Sequence, residues 1–166
     1  MFEYKNSLTD DLCESIIDEF NEANCKVFKI PKHNSDWERI ERTLYKEILI
    51  RLNEYKLKLL THIDKYSELI KLLGNVLYTK DIIVNKLTNG EKIKFVPNRY
   101  NVLTYVFFLN TIYEGGEIII NETVIKPEKG KIVIFQQDIN HPYKYNSPGN
   151  EIQYVISGQL YHNSRV

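Results

Sequence analysis

The side chains of this chain best suited to metal or proton chemistry are four histidines, His33, His62, His141 and His162, and two cysteines, Cys13 and Cys25. One His-x-Asp pair occurs, His62-Ile63-Asp64. On an extended strand, positions i and i+2 point the same way, so both could reach one metal ion. This pair lies instead within a helical pattern, where i and i+2 face different sides. It is therefore read as part of a solvated helix face. His33 falls in a loop and His162 near the C-terminus, and a site made from His141 with His162 has no spacing argument behind it. The two cysteines lie within or just after one expected helix and are read as free thiols.

The elements that must position these residues change character midway. Ser7 or Thr9 can cap a helix carrying Leu12, Ile16, Ile17 and Phe20 at helical spacing. Ser35-Asp36-Trp37-Glu38 reads as a capping box. From there Ile40, Leu44, Ile48, Leu52, Tyr55 and Leu59 mark a long amphipathic helix. A further helix with Ile63, Tyr66, Leu69, Ile70 and Leu73 is expected to end at Gly74-Asn75. The second half has strand character. Asp81–Val84 is β-rich, and Asn89-Gly90 signals a hairpin flanked by Ile93 and Phe95. Val102 to Leu109 is a nearly continuous apolar run, expected as a strand buried on both faces. Glu117 to Ile125 reads as one strand, Pro127–Gly130 as a turn, and Ile132–Phe135 and Ile152–Leu160 as the last strands.

Composition excludes some classes of function. The chain has 166 residues, one domain on length, with 22 basic and 22 acidic side chains. That balance argues against a nucleic-acid binder relying on bulk positive charge. A cluster of tyrosines in the second half invites a stacking-platform reading, but such platforms come with basic grooves. Most of these rings alternate as core residues would. A single alanine, Ala23, among many lysines, asparagines and isoleucines looks like the coding of an AT-rich genome. Met1–Asn6 shows no leader pattern, and no apolar run approaches a membrane span of roughly 18 residues. The chain is expected to be intracellular and cytoplasmic. Asn121-Glu122-Thr123 is then a chance match to a glycosylation sequon.

One set of segments is more specific. Val102 to Asn110, Tyr113-Glu114-Gly115-Gly116-Glu117, Ile125 to Phe135, and His141-Pro142 occur in the order and with the gaps of the iron(II)/2-oxoglutarate dioxygenases of the prolyl 4-hydroxylase type. Leu8 to Ile17 also resembles the helix that opens such domains. The resemblance covers nearly the whole chain, most strongly residues 82–161. It implies an α+β fold: a double-stranded β-helix, a cupin-like jelly-roll barrel, with N-terminal helices packed on one sheet. The expected layout is a single domain, 1–166, with helical support over 1–74 and the β-helix core over 75–166.

The resemblance also implies a site. Such enzymes hold iron by two histidines and one carboxylate, leaving positions open for 2-oxoglutarate and oxygen. His141 matches the second histidine. The His-x-Asp pair aligns with Val96-Pro97-Asn98, where valine cannot ligate and Asn98 offers only a neutral carbonyl oxygen. Between Gly90 and Tyr105 there is no histidine or aspartate, and Glu91 is the sole carboxylate. The Lys or Arg that pairs with the far carboxylate of 2-oxoglutarate is replaced by Gln153, which carries no charge. Tyr105 is assigned beside Gln153 as a cosubstrate contact. Lys144 and Arg99 are the nearest basic alternatives, each read as a solvated surface charge.

The residues support two readings. In the first, the metal site is degenerate, no cofactor is bound, and the chain is a pseudoenzyme: a binding or regulatory module for a protein or peptide at the old barrel mouth. In the second, it is a live hydroxylase of a protein or small molecule, using iron(II) and 2-oxoglutarate. His141 would then be joined by ligands from elsewhere, such as Glu91, Asp138 or His162.

Overall fold

Local sequence rules set the first helix. The Thr9 hydroxyl accepts a hydrogen bond from the Leu12 amide (3.3 Å), opening α1 (Asp10–Glu22). Asp10 and Asp11 place negative charge on its first turn, where the helix dipole favours it. Cys13, Ile16 and Phe20 form its buried stripe. The computed structural model describes residues 1–32, 37–74, 77–93, 101–136 and 143–162, the last without its side chain.

The longest element is α2 (Glu38–Leu60), which buries Ile40, Leu44, Ile48, Leu52, Tyr55 and Leu59, the stripe the spacing predicts. Trp37 stands at its N-cap without a side-chain bond, and the Glu38 carboxylate accepts a bond from Arg42. The expected capping box rests on Ser35. Ser35 and Asp36 lie outside the described residues. After the Thr61-His62 turn comes α3 (Ile63–Gly74), kinked at Tyr66 (φ −121°, ψ 21°).

The strands are β1 (Phe2–Tyr4), β2 (Val27–Lys29), β3 (Leu77–Leu87), β4 (Asn101–Phe108), β5 (Ile118–Ile120), β6 (Thr123–Ile125), β7 (Ile132–Phe135), β8 (Tyr143–Tyr145) and β9 (Gln153–His162). Among the described residues they form two antiparallel sheets, ordered β1-β7-β4-β9-β3-β2 and β6-β5-β8. One apolar cluster joins the helices to the larger sheet through Leu103, Tyr105, Phe107, Ile134 and Ile156. A second lies between the sheets, with Val106, Phe108, Val133, Phe135 and Val155 facing Ile118, Ile120 and Tyr145. β4 contributes alternate residues to both clusters, which is why its sequence is apolar throughout. This two-sheet, helix-backed architecture is the α+β jelly-roll that the sequence leads one to expect. Among the described residues, no helix is long and apolar enough to cross a membrane.

Two expectations of detail are corrected. Glu117 to Ile125 is a hairpin, not one strand. Asn121 (φ 47°) and Glu122 (φ 69°) both adopt positive φ, as a two-residue type I′ turn requires. Asn89-Gly90 does form a turn, closed by the Glu91 amide on the Thr88 carbonyl (2.9 Å), and among the described residues β3 pairs with β2 and β9. Phe95 lies outside the described residues. The first 74 residues are not helical support alone, since β1 and β2 are the two edge strands of the larger sheet. Gly74 ends α3 as its last helical residue, and Asn75 lies outside the described residues. Cys13 is buried, Cys25 half-buried, and both are free thiols.

Candidate functional site between the sheets

The face that the larger sheet turns toward β5, β6 and β8 is set by strand alternation. On β9, Gln153 and Val155 point into the space between the sheets, while Tyr154 and Ile156 pack on the helix side. Gln153 is fully buried. Its side-chain oxygen accepts a hydrogen bond from the Tyr145 hydroxyl, and its Nε2 donates to the Gly116 carbonyl (3.2 Å). Gly116 sits at φ +71°, and a Cβ there would fall 2.8 Å from Gln153 Oε1. Residue 116 is therefore glycine because the Gln153 amide packs against its backbone. The Glu-Gly-Gly-Glu segment, β8 and the start of β9 form one hydrogen-bonded unit.

The electrostatics of this unit follow from its burial. Burial first, and then the Glu117 carboxylate, push the Tyr145 phenol far above its ordinary range, so it remains a neutral donor. Asn146 holds Glu117 in place through a 3.1 Å bond. A negative charge thus stands near Tyr145, the hydrogen-bond partner of Gln153. Lys144, the alternative cation, lies exposed on β8.

Tyr105 is not on this face. Alternation sends Thr104, Val106 and Phe108 between the sheets and Leu103, Tyr105 and Phe107 toward the helices. The Tyr105 hydroxyl shares a 3.0 Å hydrogen bond with the Thr79 hydroxyl, deep in the helix-side core. Burial raises its phenol as well. Its assignment as a cosubstrate contact beside Gln153 is thereby corrected. With both faces of β4 buried, its sequence holds no alternation to show which residues point where.

The other candidates are dispersed. His62 and Asp64 are exposed at the α2–α3 turn and the first turn of α3, a solvated surface. Glu91 is committed to the Lys26 ammonium and to the Thr88 amide and hydroxyl (2.8 and 2.9 Å). The Lys26 bond, with those from Thr88, brings its carboxyl down to about 2. Val96, Asn98, Arg99, Asp138, His141 and His33 lie outside the described residues, as does the side chain of His162. Among the described residues, no group of three histidine, cysteine, aspartate or glutamate side chains could hold a metal ion.

Sequence reasoning missed several polar groups on this face. Asn85 Nδ2 donates to the Ser157 hydroxyl (3.0 Å), linking β3 to β9. Asn101 Nδ2 donates to the Thr104 hydroxyl (3.3 Å), while Asn101 Oδ1 is buried with no hydrogen-bond partner among the described residues. A buried orphan acceptor costs about 1–3 kcal/mol. The signal for Tyr145 was the short alternation Tyr143-Lys144-Tyr145. Asn101 had no signal, because a register shift between Asn101 and Leu103 sets its direction.

Of the residues that the resemblance implies for iron and cosubstrate, the structure describes Gln153 and Tyr105, and Gln153 is neutral and already bonded.

No protein-family model matches the sequence, and no curated protein matches it. Solved structures match it by shape. A prolyl hydroxylase of Trichoplax adhaerens, in complex with a hypoxia inducible factor oxygen degradation domain peptide fragment, aligns at TM-score 0.67 and 15% identity, over 97% of this chain and 83% of that one. A Pseudomonas putida prolyl-4-hydroxylase aligns at TM-score 0.64 and 12% identity, over 98% and 92%. The viral collagen prolyl hydroxylase of Paramecium Bursaria Chlorella virus-1, as its 2OG complex, aligns at TM-score 0.63 and 12% identity, over 97% and 94%. The fold is that of the prolyl 4-hydroxylases.

Proposed function

We propose that this chain keeps the prolyl hydroxylase fold with a degenerate metal site, and acts as a binding or regulatory module that takes a protein or peptide segment at the barrel mouth. The observation that carries this reading is the Gln153 side chain. Its amide oxygen is engaged by Tyr145 and its nitrogen by Gly116, so a cosubstrate carboxylate would have to displace bonds the fold already makes and would meet no positive charge in return. The loss of both ligands at Val96 and Asn98 is separate from the loss of this cation, and the two point the same way. The buried acceptor of Asn101 supports a ligand with N–H donors, which an extended peptide supplies along its backbone.

The test uses the purified chain with iron(II) or manganese(II) and 2-oxoglutarate, reading metal stoichiometry and succinate release. The expected result is neither stoichiometric metal at micromolar concentration nor succinate above a His141→Ala control. Metal bound one to one, or succinate above that control, would overturn the reading in favour of a hydroxylase with a non-standard iron site.

A further inference from the structure

The outer face of α2 is apolar where a solvated helix face should be polar. Tyr45, Leu49, Ile50, Leu57 and Leu60 are all exposed, Leu57 at 65% and Leu60 at 49%. They lie on the side of α2 away from the buried stripe of Ile40 to Leu59, Tyr45, Leu49 and Ile50 first and Leu57 and Leu60 about two turns further on, a ridge interrupted at the exposed Asn53 along a helix about 34 Å long. Scattered surface leucines need no explanation, but five exposed apolar side chains on one side of a single helix point to a contact surface.

Charge on this helix is sorted. Arg39, Arg42 and Lys46 are exposed between the apolar positions. The helix's glutamates, Glu38, Glu41, Glu47 and Glu54, are all half-buried. Glu38 is bonded to Arg42, and Glu47 and Glu54 are turned to Arg51. In a chain with 22 basic and 22 acidic residues, this face is positive. Beside the ridge runs a groove of about 210 Å³ between α2 and α3, lined by Lys56, Leu60, Ile70, Leu73 and Gly74. An added Cβ at Gly74 would meet nothing within 4 Å, so the groove is open at that end.

From the ridge, the groove and the sorted charge, we propose that the outer face of α2, with the α2–α3 groove, docks an acidic amphipathic helix of a partner protein. A groove between two helices takes the apolar stripe of a third, read as anchors at i, i+3, i+4 and i+7. Arginines and lysines along the ridge meet the glutamates or aspartates that border such a stripe. A second copy of this chain would bring the same positive face against itself, which like-charge repulsion disfavours. This surface lies on the helix side of the larger sheet and is independent of the function proposed for the space between the sheets.

The test uses the full chain and a fluorescent synthetic helix of about 18 residues, with leucines at i, i+3, i+4 and i+7 and glutamates between them. Its controls are a scrambled peptide of the same composition, vesicles of phosphatidylcholine with about one-third phosphatidylserine, and sedimentation of the chain alone. The patterned peptide is expected to bind saturably, at least about tenfold tighter than the scrambled one. A Leu57→Glu/Leu60→Glu variant should weaken that binding at least about tenfold, with Val124→Glu on the distant β6 as the unaffected control. Because the substituted leucines are exposed, the far-ultraviolet spectrum should not change. Equal binding of the two peptides, insensitivity to the leucine substitutions, or vesicle binding or self-association abolished by those substitutions would each overturn the proposal.

Discussion

Tyr105 and Gly158 face each other across the β4–β9 ladder, and the phenol fills the place a side chain at residue 158 would take. A Cβ built on Gly158 would lie 2.2 Å from the Tyr105 hydroxyl oxygen and 2.8 Å from the Asp81 carbonyl. The first neighbour is a ring held on all sides, and the second is backbone, so neither can move cheaply. Gly158→Ala is therefore expected to lower stability by about 3 kcal/mol through overpacking. Tyr105→Phe removes only the bond to Thr79 and should cost about 1 kcal/mol. Urea unfolding of both variants checks the order. A Gly158→Ala protein as stable as the parent would mean that Tyr105 does not pack beneath this ladder.

Tyr145 and Gln153 are coupled because each satisfies the other in a space closed to water. Tyr145→Phe leaves the Gln153 oxygen buried without its donor, an expected loss of about 1–3 kcal/mol. Gln153→Met removes the amide and orphans the phenol instead. The double variant should be more stable than the sum of the two losses predicts, by about 1 kcal/mol, as expected for partners in contact. Additive losses in a denaturation cycle would show that the two side chains do not meet. On the degenerate-site reading proposed above, Gln153→Lys supplies a charge but no iron ligand. Calorimetry with 2-oxoglutarate and manganese(II) should therefore still show no binding.

What could be read from the sequence depended on how many residues carried each signal. The stripe from Ile40 to Leu59 repeats over five helical turns, and the structure has that helix. The apolar run through β4 announced burial on both faces, and for the same reason concealed that Tyr105 points to the helices. β1 and β2 are three residues each, too short for any period to emerge, and they pair along the edges of the longer β7 and β3. The hairpin at Asn121-Glu122 lacks the glycine that usually marks such turns. Gln153 was legible as a missing charge. Its bonds to Tyr145 and Gly116 come from one sheet facing the other, which no local pattern encodes.

Glu91 sets a pH dependence on the loop after β3. The Lys26 ammonium, with the Thr88 amide and hydroxyl, brings its carboxyl from 4.5 down to about 2 in the folded chain. A folded value below the unfolded one means the contribution is complete above about 4.5 and is lost as pH falls through about 2. The ion pair sits at the surface in reach of water, so this is a local effect on the loop. Lys26→Met should raise the Glu91 carboxyl part of the way toward its ordinary range, the two Thr88 bonds still holding it down, which carbon NMR titration of labelled glutamate would read. An unchanged titration would place Lys26 away from Glu91.

Arg51 decides whether β1 stays on the sheet. Its side chain is 11% exposed and bonds Glu47 (2.6 Å), itself 14% exposed, and Glu54 (2.8 Å). The guanidinium also lies 3.5 Å from the centroid of the Tyr4 ring, and the Ser7 hydroxyl bonds Glu47 at 2.7 Å. The cluster therefore clamps Tyr4 at the end of the short edge strand, and Ser7 just beyond it, to α2, while β1 itself makes three register pairs with β7. Arg51→Ala strands Glu47 without its cation in a mostly buried place, with an expected cost of roughly 3 kcal/mol. Arg51→Lys keeps the charge but loses the planar fork that reaches Glu47, Glu54 and the ring together, and should recover less than half of that. Hydrogen exchange separates this from general loosening. Amides of Phe2–Tyr4 should lose protection before those of β4, because β4 is held by β7 and β9 and buried on both faces. Uniform loss of protection across the sheet would show that Arg51 supports the whole core and does not act as the clamp on β1.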